Sequence, residues 1–460
     1  MGGAVNKNRI GQCLVLASIV SVGGGIGPAA AQEDAPGGTT LTFGIETSLS
    51  ISDNYTLDVT SPGTSTILDT RLSFGYLNET AVDRLAFDAD GVLRASGLPG
   101  AGGDVRFDDY SAALSYVREG ADSRFSVDAA YTDANLDFLD PFEFIDDGIL
   151  LSGSGRRAIS SANLNFETGI NAPLGFGIEL DHEAFDYSDT TDPSLFDSQT
   201  DEIILTARAR ISPVIEGRAR LSQEDYSAED LVMTDRITRA LSFGATYEVS
   251  PVTTLDASLG IEKIDDFASG DDEGTFGTLS LTRALTNGSA GVELDRSFGS
   301  EGGRTTLSVN RAMDLPAGTL AFSLGVTKGE SDGTGVVGSV DYTQILPQGE
   351  LAASLERRVT SSSAGDDVLT TTVALGYSMP ATPVSILSFD FDYVAVDDVG
   401  SGSTTSTDRS TFRAVYTHEL TRDWDLSAGY EHQRLFTEGS GTASSNEIFM
   451  TLGREFSIRR

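Results

Sequence analysis

Apolar and polar residues alternate one by one through most of this chain, in stretches of about ten residues separated by turn-forming segments. In the stretch LTFGIETSLSI, Leu41, Phe43 and Ile45 lie on one side, while Thr42 and the polar residues after it lie on the other. Successive side chains of a β-strand point to opposite faces. Each stretch therefore predicts a strand with one apolar and one polar face, and about 22 such strands (16 to 22 within the uncertainty of their boundaries) follow from the pattern.

The segments between the strands alternate between short and long. Short ones contain Pro213 or Pro316, whereas long ones are acidic or rich in Gly, Ser and Thr and cover 53–65, 135–155, 188–198, 265–273 and 397–407. Antiparallel strands joined in this way form one sheet with tight turns at one edge and loops at the other. An even number of strands brings both ends of the sheet to the tight-turn edge.

The N-terminal segment has the layout of a secretory signal peptide. Lys7 and Arg9 precede a short apolar run, and Ala29 to Ala31 supply small residues before a predicted cleavage site. We therefore expect residues 1–31 to be removed and residues 32–38 to form a short segment before a single domain over 39–460. No plug domain is expected ahead of the first strand. The only cysteine, Cys13, belongs to the signal peptide, so the exported domain contains no disulfide.

The exported domain is strongly acidic. The chain has 31 Lys+Arg and 69 Asp+Glu, and removing Lys7 and Arg9 leaves 29 against 69, a net charge of −40. Such a charge repels phosphates and disfavours nucleic-acid binding.

Strand length decides between a soluble and a membrane-embedded sheet. Strands of about 9 to 11 residues match a tilted crossing of a bilayer and exceed the usual length in soluble proteins. Closing the sheet into a barrel also removes its hydrogen-bonding edges. Aromatic side chains near strand ends suit the two membrane interfaces: Tyr55, Phe74, Tyr76, Tyr247, Tyr377, Tyr393, Tyr416 and Trp424. We predict an all-β, closed antiparallel transmembrane β-barrel; the alternative is a secreted soluble sandwich or solenoid.

The last predicted strand ends in a recognisable sequence motif. TLGREFSI places Thr451, Gly453, Phe456 and Ile458 at the spacing of polar, glycine and two hydrophobic positions, and only Phe449 and Arg454 interrupt the alternation around it. This segment resembles the C-terminal signal read by the β-barrel assembly machinery, which an unpaired final strand can engage by adding to an edge. At the level of architecture, the chain resembles bacterial outer-membrane β-barrels of porin type.

This resemblance implies a Gram-negative outer-membrane protein with short periplasmic turns and long extracellular loops. Its expected partners are outer-membrane lipid and lipopolysaccharide, the assembly machinery and small hydrophilic solutes. A homo-oligomer, commonly a trimer, is also implied.

A basic cluster is the most informative candidate site. The hairpin ILTARARISPVIEGRARLS directs Arg208, Arg210, Arg218 and Arg220 inward near its turn. Crowded guanidinium groups need water or carboxylates, for which Glu202 and Glu216 are candidates. The cluster is interpreted either as a charge network that stiffens the wall or as one side of a charged constriction.

The longest loop offers the opposite charge. It is the third on the long side and carries Asp137, Asp140, Glu143, Asp146 and Asp147. In general porins the third long loop folds into the lumen, so these acids are hypothesised to face the arginines and to set a transverse field. The alternative is a loop that remains outside the barrel.

No catalytic or metal-binding constellation is expected. The three histidines, His182, His418 and His432, fall on outward or rim positions, and zinc-type spacings do not occur. We expect no cofactor, apart from Ca²⁺ or Mg²⁺ bound loosely at acidic loops. The predicted function is passive diffusion of small hydrophilic solutes or ions with cation preference. The alternative is a non-conducting structural barrel or an export conduit for polysaccharide.

The loop hypothesis gives a first prediction. Asp146→Lys together with Asp147→Lys reverses two charges of the third long loop and should shift the single-channel reversal potential in a salt gradient. An unchanged reversal potential would remove this loop from the conduction path.

Overall fold

The fold is one closed sheet of 22 antiparallel strands. The computed structural model describes residues 37–100, 103–138, 154–231, 233–267, 270–299, 302–330, 333–361, 367–398 and 406–459. The strands are β1 Gly38–Ser52, β2 Ser65–Glu79, β3 Asp83–Gly97, β4 Asp104–Glu119, β5 Ser123–Asn135, β6 Arg156–Thr168, β7 Leu174–Ser188, β8 Ser198–Ser212, β9 Ile215–Ala228, β10 Asp235–Ser250, β11 Thr253–Asp266, β12 Gly270–Leu285, β13 Gly288–Gly299, β14 Gly302–Leu315, β15 Gly318–Gly329, β16 Thr334–Leu346, β17 Gly349–Ser361, β18 Asp367–Thr382, β19 Ser385–Asp398, β20 Thr407–Thr421, β21 Trp424–Thr437 and β22 Gly441–Arg459. A 3₁₀ turn, Leu136–Phe138, follows β5.

Each strand pairs with the next along the chain, and the last pairs with the first. The closing seam runs from Thr40 opposite Arg459 to Ser52 opposite Glu447 without a register shift. This closure satisfies the backbone donors and acceptors that an open sheet would expose at two edges. The prediction of a closed all-β barrel is confirmed, and both Gly38 and Arg459 lie at the tight-turn edge. No helix in the described ranges is long and apolar enough to cross a bilayer.

Four of the five long connections predicted for one edge of the barrel are present. Tight turns such as Pro213–Val214 lie at one edge, and the longest connection, 136–155, is the third at the other. The predicted loop 265–273 is wrong, because β11 continues to Asp266 and β12 begins at Gly270. Lys263 lies 3.2 Å from Asp271, and this cation helps to keep the acidic segment in the ladder.

Side-chain direction follows the alternation of the sequence. Large apolar side chains remain solvent-accessible on the outer surface, for example Leu259 at 69%, Phe243 at 62% and Leu324 at 59%. The strand register assigns the intervening polar residues to the lumen. An apolar band around a polar interior is the arrangement of a membrane barrel.

The aromatic positions are also confirmed, except for Tyr55. Seven of the eight predicted outward aromatics lie on the outer phase of their strands. Tyr55 instead lies in the first long loop and stacks on Phe138, with the ring centroids 6.1 Å apart. Burial raises the pKa of its hydroxyl.

The seam can be tested with a designed disulfide. Ser48 and Thr451 face each other across β1 and β22, and their hydroxyl oxygens are 2.9 Å apart. The double variant Ser48→Cys, Thr451→Cys should form a disulfide on oxidation, read out by loss of two reactive thiols. Ser48→Cys with Glu455→Cys is the control, since Glu455 pairs with Gly44. Two thiols that stay reactive in the first variant would contradict the closure.

Candidate functional site

The four predicted arginines lie together on the lumen face of the β8–β9 hairpin. Arg208 is directly opposite Arg218, Arg210 is opposite Glu216, and Arg220 is opposite Thr206. Like charges directly opposite each other destabilise a strand pair unless other groups compensate them. The predicted grouping near the tight turn is therefore present, and its contacts decide its role.

Each guanidinium is engaged by groups on the wall. Arg218 donates to both carboxylate oxygens of Asp256 on β11, at 2.6 and 2.5 Å. Arg208 donates to the carbonyl oxygens of Gly169 and Ile170 in the β6–β7 turn, both at 2.9 Å. These contacts draw the two opposed arginines in opposite directions along the wall.

The two remaining arginines have the carboxylates that the sequence suggested. Arg210 lies 3.9 Å from Glu216, and Arg220 lies 3.8 Å from Glu202. Glu216 is also 3.5 Å from Arg208. Because side-chain exposures here are about one quarter to one half, these pairs lie in a wet environment where each contributes little alone.

Two glycines explain why the arginines lie flat. A Cβ at Gly244 would be 2.7 Å from Nε of Arg218, and a Cβ at Gly175 would be 3.0 Å from a terminal nitrogen of Arg208. The missing side chains leave space for the guanidinium groups to cross β10 and β7. The geometry thus fits a charge network that links neighbouring strands better than a set of cations projecting across the lumen.

The third long loop begins inside the mouth of the barrel. The guanidinium carbon of Arg94, a lumen-facing residue of β3, lies 4.1 Å from the ring centroid of Phe138. Tyr55 stacks on the same ring. The first turn of the loop, including Asp137, therefore packs near the inner wall. The remaining predicted loop acids, Asp140, Glu143, Asp146 and Asp147, lie outside the described residues.

A carboxylate cluster holds Arg94 in place. Its side chain is 8% exposed and contacts Asp69 at 2.9 Å and Asp109 at 2.8 Å. Asp109 has φ +42° at a bulge of β4 opposite β3. The neighbouring Asp108 is fully buried and pairs with Arg156. This cluster fixes the loop base because Asp109 also accepts the backbone N–H of Asn135 at 2.8 Å.

Another part of the lumen wall carries more acidic than basic side chains. A cavity of about 1940 Å³ lies against β1–β3 and β16–β22, and its lining includes Asp341, Asp390, Asp392 and Glu431. Arg413 on β20 lies 3.7 Å from Glu431. In a ring of 22 strands, β19 is eleven strands from β8, so this acidic wall faces the arginine cluster across the barrel.

The histidines occupy three separate places at the rims. His182 contacts Asp201 at 2.8 Å, and His432 contacts Asn446 at 3.0 Å near the loop edge. His418 lies at the tight-turn edge, 2.9 Å from Ser385. All three follow the predicted outward phase. Across the ranges that the structure describes, no group of three or more His, Cys, Asp or Glu side chains is arranged to hold a metal ion.

Hydrogen bonds at the loop edge also tune one carboxyl group outside the strands. The side-chain and backbone N–H groups of Asn446 donate to Asp53 at 2.8 and 2.7 Å. These bonds lower the pKa of Asp53. They tie the first long loop to β22.

The residues of the predicted assembly signal alternate across β22. Thr451 and Gly453 face the lumen, while Phe456 and Ile458 face outward with exposures of 40% and 51%. Arg454 is also outward, and its guanidinium carbon lies 4.1 Å from the centroid of Phe456. Recognition by the assembly machinery stays a prediction.

No protein family matches the sequence, and no curated protein matches it. Solved structures do match the fold. The FrpB iron transporter from Neisseria meningitidis is 7% identical with a TM-score of 0.59, over 90% of this chain and 81% of that one. The copper transporter OprC is 11% identical with a TM-score of 0.55, over 92% and 80%. The ferric enterobactin receptor from Pseudomonas aeruginosa is 10% identical with a TM-score of 0.53, over 90% and 81%.

These likenesses define the class of fold. The chain has the closed barrel fold of bacterial outer-membrane receptors and transporters, in agreement with the predicted outer-membrane location. These structures do not support the finer resemblance to porins, because they are receptors and transporters. Strand number explains the difference, since barrels of 16 to 18 strands are typical of porins and 22 strands of larger transporters.

The contacts of the four arginines with neighbouring strands give a prediction about the stability of the barrel. Arg218→Gln removes two charge-assisted hydrogen bonds to Asp256, so the unfolding free energy should fall by about 1 kcal/mol. Reversible unfolding of the protein by guanidinium chloride in lipid vesicles measures this free energy. Arg210→Gln is the matched control, because its 3.9 Å contact with Glu216 should contribute below about 0.5 kcal/mol. Equal losses in the two variants would contradict the network.

Proposed function

We propose that this barrel carries small hydrophilic solutes across the outer membrane, with preference for cations. The observation that carries the proposal is the acidic lumen wall of β19–β22. Asp390 and Asp392 line the cavity there without an ion pair among the described residues. Carboxylates around an aqueous path raise the local cation concentration and repel anions.

The arginine cluster supports the same preference. Its four cations are engaged by Asp256, Glu202, Glu216 and turn carbonyls, so they add little net positive charge to the lumen. A transverse field between these arginines and the acids of the third long loop stays a hypothesis. Passive diffusion, with small ions or solutes as the transported class, is the first candidate.

A second candidate is uptake of a metal ion or metal chelate. It is favoured by the similar structures, which include a copper transporter and an iron transporter. A non-conducting scaffold or polysaccharide conduit is the remaining alternative. Loose Ca²⁺ or Mg²⁺ binding at acidic loops, contact with lipopolysaccharide and a homo-oligomer stay proposals of the same kind.

Conductance of the refolded protein in planar lipid bilayers tests the first candidate. We expect ohmic steps and a reversal potential on the cation side in a potassium chloride gradient. Silent bilayers containing verified folded barrels would contradict passive diffusion. Binding of ferric chelates or Cu²⁺ by the same preparation would then favour the second candidate.

A further inference from the structure

Phe449 is the large aromatic residue that breaks the alternation of the last strand. Its register places it on the lumen face, opposite Gly429 of β21, and it is only 7% exposed. A Cβ at Gly429 would be 2.4 Å from Cζ of Phe449. The ring therefore lies flat across β21, in a space that only a glycine leaves open.

The end of the Phe449 ring lies beneath Arg413 of β20. The guanidinium carbon of Arg413 lies 4.7 Å from the centroid of Phe449, within the range of a cation–π contact. Nε of Arg413 is 3.7 Å from Glu431 on β21. Both contacts draw the arginine toward β21 and β22.

The strand register offers Arg413 a different partner. Asp390 of β19 is directly opposite Arg413, and both face the lumen. No ion pair joins them in the described structure. The Asp390 carboxylate leans the other way, with Oδ1 only 3.3 Å from the position of a Cβ on Gly376 of β18. The two opposite charges thus diverge although their backbones are neighbours.

We propose that Phe449 is a positioning residue for ion selectivity. By holding Arg413 against β21 and β22, it leaves Asp390 and the nearby Asp392 with charge that the lumen senses. This inference rests on the proposed function, because it names the residues that set the cation preference. Asp390 is the specificity-determining group, and Phe449 acts on it through Arg413.

The contacts that compete are of similar strength. A partly exposed cation–π contact and an ion pair in a wet lumen each contribute only a small stabilisation. Arg413 is itself half exposed at 49%, so its side chain can reorient. Removal of the ring leaves the 3.7 Å contact with Glu431 to compete with Asp390 for the arginine.

Reversal potentials in a salt gradient test the inference. Phe449→Ala should lower the cation-over-anion permeability ratio about twofold, because the charge of Arg413 then shifts from Glu431, which is only 19% exposed, to Asp390. Asp390→Asn should lower the ratio by a similar factor, and it should add little in the Phe449→Ala background. Phe449→Trp retains an aromatic face and should restore the original ratio. Phe412→Ala, on the outward face of β20, is the matched control and should leave the ratio unchanged.

The Arg413→Gln background separates an effect on ion selectivity from an effect on barrel structure. With Arg413→Gln, the substitution Phe449→Ala should have no effect on the ratio, since the cation that it redirects is absent. If Phe449→Ala does not assemble, Phe449→Leu takes its place, because it fills much of the same space without an aromatic face. A conducting protein whose ratio is unchanged by Asp390→Asn, or by Phe449→Ala, overturns this inference and leaves the proposed function standing. A silent wild-type barrel overturns the proposed function itself.

Discussion

Closure of the hydrogen-bond ladder is the constraint on which the rest of this structure depends. In hydrocarbon, an unpaired backbone N–H or C=O costs several kcal/mol, so a sheet can cross the membrane only if its first and last strands meet. Here β1 pairs with β22 along almost all of β1, from Thr40 to Ser52. Once the ring is closed, the pleat assigns every second side chain to lipid and the others to the lumen, and the sequence alternation has to match.

Within that ring, several functional side chains depend on glycines. Arg218 crosses Gly244 to reach Asp256, Arg208 crosses Gly175, and Phe449 lies over Gly429. Each glycine lets a long side chain lie along the wall instead of projecting into the lumen. The orientation of a charged side chain therefore depends on the residue opposite it on the neighbouring strand. This orientation changes the electric field that a solute meets in the lumen.

Much of this architecture could be predicted from the sequence, because a two-residue period is a local property. The arginine hairpin was predictable since Pro213 marks its turn and alanines alternate with arginines. Asp256 was not, because it lies two strands beyond β9 and becomes a partner only through the registers of β10 and β11. Phe449 was visible as an interruption, but its contact with Arg413 likewise needs the register of β21.

The errors have physical causes as well. The acidic segment at 265–273 suggested a loop by composition, whereas nearby cations such as Lys263 compensate its charge within a hairpin. Tyr55 suggested a membrane-interface aromatic, although it lies in the first long loop. Composition alone did not distinguish a solvated loop from a strand with paired charges.

Cysteine labelling along β19 in lipid vesicles tests the orientation of the wall most directly. Single cysteines at successive positions from Leu387 to Tyr393 would be treated with a thiol reagent that is soluble in water and excluded from lipid. The account predicts reaction at Ser388, Asp390 and Asp392 and protection at the positions between them. Uniform reaction along the strand, or protection at Asp390 and reaction at Phe391, would contradict a polar lumen inside an apolar surface.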